Sequence, residues 1–557
     1  MPFDFSQVKD PKFVEVLKKA PHMLRYIETY LAQGNPLPIF TEQLRPEHKK
    51  LKEPNLIYPV TEHSYIHINP HTTSDDGYIE YAIIEPEIPE RKVMELAERM
   101  FAVQSGSLDP PTEITERYNM IENYIDTHIT VSETPVDYSK IGDIYKLETL
   151  QVTKEDFAGF KYHFLQRRAG TGIFDPFLAD SNLEDISVIG AGNIFVIHKA
   201  FGALKSPVFL GHEEIDELII SMSEQFGKTV SHAKPVVDAS LPDGSRINIV
   251  YGKDISRKGT NTTIRKFAST PLSITQILTS KTFDSREAAY LWMLMNEGFS
   301  IFICGETASG KTTSAMALSA FIPSNWKIVT IEDTPELTLP HSNWINETTR
   351  DTGNEYSSVT MFDLLRASLR QRPNYIIVGE IRGAEGNIAF QAMQTGHPVI
   401  STFHAANMTA LVQRLSNDPI KVPKTHLDNL NLAIFEAAVQ GPGGKRVRRI
   451  SSINELLGYN PEANNIMFIP IFNWDPGTDS VKFRGKGSSA LFVNKLLTLR
   501  GMDKRDEGLL YEELDLRAKI LDKMVEKKIF NFYDVFDSIS HCREIGLEPF
   551  YKELDSL

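Results

Sequence analysis

The sequence predicts an α/β fold in which a mostly parallel sheet, covered by helices on both faces, follows a mixed α/β N-terminal domain. Three observations predict it. Short apolar runs, "SIFICG", "KIVTIED", "NYIIVGE" and "HPVISTFH", alternate with helical stretches after about Phe283, as strands buried on both faces do. The stretch "FICGETASGKTTSAM", Phe302 to Met316, puts a glycine loop between one such strand and an apolar helix. Upstream, "GYIEYAIIEP", "LEDISVIGAGNIFVIHKAFG" and "SRINIVYG" read as strands, and "ERKVMELAERMFAV" as an amphipathic helix.

At 557 residues the chain is too long for one core. The expected organisation is a helical leader segment over 1–57, an α/β domain over 58–268, and a linker with a helix start over 269–284. A parallel-sheet domain over 285–500 and a helical tail over 501–557, regulatory or packing in role, complete it. The leader is marked by helical spacing at Phe13, Val16, Leu17, Leu24, Ile27 and Leu31, and by a small basic cluster, His48, Lys49, Lys50 and Lys52. "FASTPLSITQIL" supplies the linker through Ser269, Thr270 and Pro271. "EELDLRAKILDKMVEKKIF" gives the tail its helical period.

Hydrophobic residues make up 41% and charged residues 24%, the values of an ordinary globular chain. A net charge of -14 argues against non-specific nucleic-acid binding, which needs a concentrated basic surface. Two cysteines, Cys304 and Cys542, exclude a disulfide framework and a tetracysteine zinc site. They read as plain small side chains in a reducing cytoplasm. The first residues lack a basic-then-apolar signal, and no apolar run reaches the ~20 residues that span a bilayer. A soluble, cytoplasmic protein is expected, with any membrane role arising through a partner.

The glycine loop fits G-x-x-x-x-G-K-[ST] through Gly305, Gly310, Lys311 and Thr312. Its glycines turn successive N–H groups into one concavity, and the helix behind adds its positive dipole end. Gly305, Glu306, Thr307, Ala308, Ser309, Gly310, Lys311, Thr312 and Thr313 are therefore the candidate ATP-binding residues. Lys311 would reach the β/γ oxygens and Thr312 would ligate Mg²⁺. "NYIIVGEIRGAE" runs four apolar residues into Gly379 and Glu380, which can touch the metal through water or polarise the attacking water. "IVTIEDTPEL" places Glu332, Asp333 and Glu336 at another strand end. In a parallel sheet the strand ends face one side, so Glu332 and Glu380 can converge on the phosphate that Lys311 addresses. His397 and His404 bracket the next strand in "TGHPVISTFHA", where they can sense the γ-phosphate or contact the other domain. This is a RecA-like P-loop architecture.

In order and character, "GETASGKT", "TIEDTPEL", "VGEIRGAE" and "TGHPVISTFHA" resemble the Walker A, Asp box, Walker B and His box of the secretion ATPase superfamily. That superfamily serves type II and type IV secretion, type IV pili and archaella. The archaeal branch is the nearer resemblance, over roughly Tyr58 to Trp474 and much of the tail; "DGSRINIVYG", "TIRKF" and "KRVRRISSINELLGYN" belong to it. Three departures stand out. Glu380 replaces the usual Walker B Asp, Ala308 stands where members usually have glycine, and the zinc module common in bacterial members is absent.

The resemblance implies an ATP hydrolase working with Mg²⁺ as a homohexamer, in which Arg246 and Arg265 of the N-terminal domain serve an active site, with Arg257 a weaker candidate. It further implies a polytopic membrane platform as partner, pilin-like subunits as indirect cargo, and attachment at the inner face of the membrane. Archaellum motor and archaeal pilus assembly ATPase both fit; length and N-terminal character favour the first. Two rival readings are a hexameric nucleic-acid translocase, disfavoured by the acidic balance, and a non-hydrolysing regulatory module, disfavoured by the carboxylates Glu332 and Glu380.

Overall fold

A computed structural model describes residues 3–45, 47–48, 51–71, 77–105, 111, 113–138, 141, 147–266, 270–350, 354, 356–441 and 446–556. Lys49 and Lys50 of the basic cluster, and Ser269 of the expected linker, lie outside the described residues. The chain divides into two compact units, Met1–Ala268 and Ser269–Leu557.

The N-terminal unit is built on a ten-stranded sheet. One half comes from Ile39–Phe40, Leu56–Pro59, Tyr65–Asn69 and Glu80–Ile84; the other comes from six strands between Leu183 and Arg265. The expected break at 57/58 does not separate a leader from this unit. Ile39–Phe40 pairs in parallel with Leu56–Pro59, and the helices Pro11–Lys19 and Pro21–Ala32 bury Phe13, Leu17, Met23 and Ile27 in one cluster with Ile57, Tyr65 and Ile84. The 3.6-residue spacing gives each helix an apolar stripe that has to be covered, and here the sheet covers it. Between the halves, helices Arg91–Gln104, Ile114–His128 and Phe157–Arg168 enclose a core of their own around Met100, Ile125, Phe160 and Phe164.

The last strands of this sheet place the candidate arginines. Arg246–Val250 and Asn261–Arg265 run antiparallel, with Arg246 directly opposite Arg265. Ile247, Ile249 and Ile264 point into the core, so period-two alternation turns both arginines to the other face. On the far side of Arg265 its cross-strand partner is Asp185, 4.0 Å from the guanidinium Nε. Arg257 lies in the turn joining the two strands, at the opposite end of the hairpin.

The C-terminal unit carries a nine-stranded sheet. Its order is Trp344–Thr348, Ile328–Glu332, Tyr375–Glu380, Val399–Phe403, Ile301–Gly305, Leu432–Gln440, Arg446–Asn460, Asn465–Asp475 and Ser480–Phe483. The first six are mutually parallel, and the last three fold back as antiparallel neighbours. Buried side chains cover both faces: Phe302, Val329, Ile376 and Phe403 on one, and Ile301, Ile303, Ile377 and Ile434 on the other.

Neither the expected linker nor the expected tail stands outside this unit. Ser273 caps the helix Ile274–Thr279 through a reciprocal bond with Gln276, and Ile274 and Ile277 enter the same core as Leu514, Ile520, Leu521 and Met524 from the helix Glu507–Glu526. Arg517 of that helix is buried over the Trp292 ring, 4.4 Å from its centroid, and pairs with Glu513.

Candidate functional site: the loop after Ile301–Gly305

The strand Ile301–Gly305 ends at the loop Glu306–Gly310, and the helix Lys311–Ser319 begins directly behind it. Gly310 takes φ +113°, and no side chain caps the helix, unlike the helices begun by Asp284, Thr360 or Asn407. Its first N–H groups are thus left without side-chain acceptors, the arrangement that receives an anion. The loop is close-built against the next strand: a Cβ on Gly305 would meet the Glu436 carbonyl oxygen at 2.4 Å, and one on Gly310 would meet Glu436 Oε1 at 2.4 Å. Ala308 holds φ +62°, the left-handed region where a glycine would sit without strain.

Lys311 Nζ donates to the Glu306 carbonyl at 2.9 Å. Burial pulls its pKa down, against the upward pull of Glu380 and Glu436. With Lys311 turned to its own loop, a phosphate oxygen is a ready replacement for that carbonyl.

Glu380 ends the strand two places over from the loop strand, with Val399–Phe403 between them. One of its oxygens is hydrogen-bonded and the other is only approached. Arg382 Nη2 lies 2.6 Å from Oε2, and His404 Nε2 lies 2.9 Å from Oε1. Burial pushes the Glu380 pKa up, but Arg382, His404 and Lys311 together outweigh it and hold the carboxylate below its ordinary value. His404 is itself lowered, first by burial and then by Lys311, Arg382 and Arg414, which overcome the opposing effect of Glu380. Glu380 is therefore an ionised acceptor at neutral pH beside a neutral imidazole. Arg414 donates to the His404 carbonyl and lies over the Phe403 ring. Its side chain, His404, Ala405, Glu306 and Thr307 line a cavity of about 350 Å³ beside the loop.

Two expected residues are placed differently. Glu332 is 2% exposed, and its Oε1 accepts from the backbone N–H groups of Glu336 at 2.9 Å and Leu337 at 3.0 Å. Its stem lies against Gly379. It braces the loop that follows it. His397 precedes the five-residue strand Val399–Phe403 whereas His404 follows it; seven positions of extended chain span about 23 Å. The chain brings His404 to the glycine loop and leaves His397 at the opposite end of the strand, bonded to Thr395.

Among the described residues no group of three or more His, Cys, Asp or Glu could hold a metal ion. Thr312 in the first helical turn and Glu380 fit Mg²⁺ in the way that ion is commonly held, by one or two protein oxygens with phosphate and water completing its shell. Cys304 and Cys542 are both free and buried, and burial pushes both thiols upward.

Sequence reasoning passed over Arg382, Arg414, Glu436 and Arg448. Arg382 sits inside the quoted "GEIRG". Glu436 had a usable signal, one acid inside the apolar strand "LAIFEAAV". Arg414 and Arg448 carried none, because only the tertiary fold brings them to the loop.

Comparison with known proteins agrees with this geometry. The family described as type II/IV secretion system protein matches residues 168–429. The chain is 42% identical to the uncharacterized protein MJ0900 of Methanocaldococcus jannaschii over 551 residues, 97% of this chain and 98% of that protein. Protein MJ1287 of the same organism is 40% identical over 257 residues, 46% of this chain and 92% of its own length. Protein VirB11 of Agrobacterium fabrum is 30% identical over 256 residues, 41% of this chain and 74% of VirB11. On this likeness, spread along nearly the whole sequence in one relative and reaching three quarters of VirB11 in another, the chain belongs to the type II/IV secretion system protein family, the secretion ATPase superfamily.

Proposed function

We propose that the chain is an ATP hydrolase that acts, as a homohexamer, to drive protein secretion or the assembly or rotation of an archaeal type IV pilus-like filament, pilus or archaellum. The observation that carries this reading is the placement of Glu380, ionised between His404 and Arg382 and electrostatically coupled to Lys311 of the glycine loop. A site that only bound nucleotide would have no use for a base poised beside the phosphate lysine.

In this reading the backbone of Gly305–Gly310 cradles the phosphates, and Lys311 exchanges the Glu306 carbonyl for a β/γ oxygen. Thr312 and Glu380 would hold Mg²⁺, directly or through water, and the ion would supply neutralisation of phosphate charge. A water attacks the γ-phosphorus, the bond to the bridging oxygen breaks, and Glu380 takes the proton from the water. Arg382 holds Oε2, so Oε1, which makes no hydrogen bond, is the oxygen that takes it.

Arg246 and Arg265 support a role in trans. Their backbone positions are directly opposite across the strand pair and on one face of the sheet, where two guanidinium groups would meet the phosphate oxygens of a neighbouring subunit's nucleotide. The proposed partners are a second copy of this chain, a polytopic membrane platform protein and, indirectly, pilin-like subunits; no nucleic acid is proposed. Among the described residues no helix is long and apolar enough to cross a membrane, so attachment at the inner face of the membrane is proposed to run through the platform protein. The test is to replace Lys311 by Ala in cells that make the filament. Loss of filaments or secretion at unchanged protein level is expected, and normal output would overturn the motor role.

A further inference from the structure

We propose that Glu436 is a positioning residue of the phosphate cradle, setting nucleotide affinity from behind the loop through Ser314 and the turn at Gly310. The inference rests on the nucleotide-binding reading above.

Glu436 stands on Leu432–Gln440, the strand beside the loop strand, in register with Gly305. Its Oε2 accepts from Ser314 Oγ at 2.9 Å, one turn into the helix that Lys311 begins. Its Oε1 occupies the space that a Cβ on Gly310 would need. One carboxyl group thus touches both the turn and the helix whose N–H groups form the cradle. From the next strand, Arg448 approaches the same turn, its Cδ 3.0 Å from that Cβ position and its Nε 3.5 Å from the Ala308 carbonyl.

The side chain is 3% exposed. The groups that face it are Ser314 and Lys311 from the helix and Arg448 from the neighbouring strand. Burial pushes its pKa up to about 7, against the lowering influence of Ser314, Arg448 and Lys311. A carboxylate there opposes an incoming polyphosphate, whereas a neutral carboxyl keeps its bond to Ser314 without that repulsion. When Lys311 turns to the phosphates, one source of charge compensation for Glu436 is lost. Nucleotide binding and protonation of Glu436 therefore favour each other, and linkage makes the effect reciprocal.

The test is the pH dependence of Kd for fluorescently labelled ATP on the full chain, from pH 6 to pH 8.5, in the wild type, Glu436→Gln and Ser314→Ala. If binding raises the Glu436 pKa by one unit, wild-type affinity falls about five-fold more than that of Glu436→Gln between pH 6 and pH 8. Ser314→Ala moves the midpoint of the wild-type profile to higher pH, because it removes a bond that favours the ionised form. Parallel profiles for the wild type and Glu436→Gln overturn the positioning role, and so does an unmoved midpoint in Ser314→Ala should the Gln variant fail to fold. Absence of labelled ATP binding by the wild type at every pH overturns the nucleotide-binding reading itself.

Discussion

His404 Nε2 lies 2.9 Å from Glu380 Oε1, joining the ends of two neighbouring parallel strands. Arg382 holds the other oxygen by a hydrogen bond, and the imidazole shapes the surroundings of the one left open. His404→Ala leaves the carboxylate to Arg382 alone and is expected to lower kcat about ten-fold or more with KM little changed, as loss of an orienting partner does. Steady-state phosphate release checks it. A rise in KM at constant kcat would instead place His404 in ground-state binding.

Ala308 carries φ +62° in the loop. Ala308→Gly removes that strain, partly offset by greater freedom of the unfolded chain, so a gain of about 0.5–1 kcal/mol is expected. The midpoint of thermal unfolding measures it. A loss of stability would mean that the loop relaxes to negative φ at this position.

The paired arginines give a prediction about assembly. Arg265→Ala and Lys311→Ala subunits are each expected to be inactive alone, and mixing them is expected to restore part of the turnover. In a mixed ring, some sites join an intact Lys311 to an intact Arg265 from a neighbour. Equal mixtures shown to co-assemble, with no regained phosphate release, would place Arg265 outside the neighbour's site.

His67 supplies a pH prediction in the N-terminal unit. It is fully buried, with Nδ1 2.8 Å from the Tyr26 hydroxyl and Nε2 2.7 Å from Asn55 Oδ1. A neutral ring with its proton on Nε2 satisfies both. Burial pulls its pKa from 6.5 down to about 3, so the unfolded chain takes up a proton that the folded one refuses. Stability is fully present above 6.5 and is lost as pH falls from there towards 3, on the order of 2 kcal/mol by pH 5. His67→Gln can make both bonds without titrating. Denaturant unfolding from pH 7 to pH 4 is expected to show a shallower loss in the Gln variant than in the wild type.

The parallel sheet and its loop were legible because each strand is a short apolar run with chemistry at its end: Gly305, Glu332, Glu380 and His404 all follow one. What the runs do not encode is where side chains turn after leaving the strand. Glu332 and Glu380 look alike in sequence, yet one bonds its own loop and the other faces Lys311. His397 and His404 look like a pair until the strand between them is given its length. The outer units were harder for another reason. Helical spacing at Phe13, Leu17 and Ile27 fixes the helix but not its partner, which proved to be a sheet assembled from Ile57 and Tyr65 onward.

Release of phosphate by the purified chain with Mg²⁺ and ATP, compared with Glu380→Gln and Lys311→Ala, tests the central claim most directly. The wild type is expected to turn over. Glu380→Gln is expected to retain bound ATP while turnover falls about 100-fold or more, the usual effect of removing a general base, and Lys311→Ala is expected to lose binding together with turnover. Wild-type turnover in Glu380→Gln, or no turnover by the wild type once it is shown to be hexameric, would contradict the account.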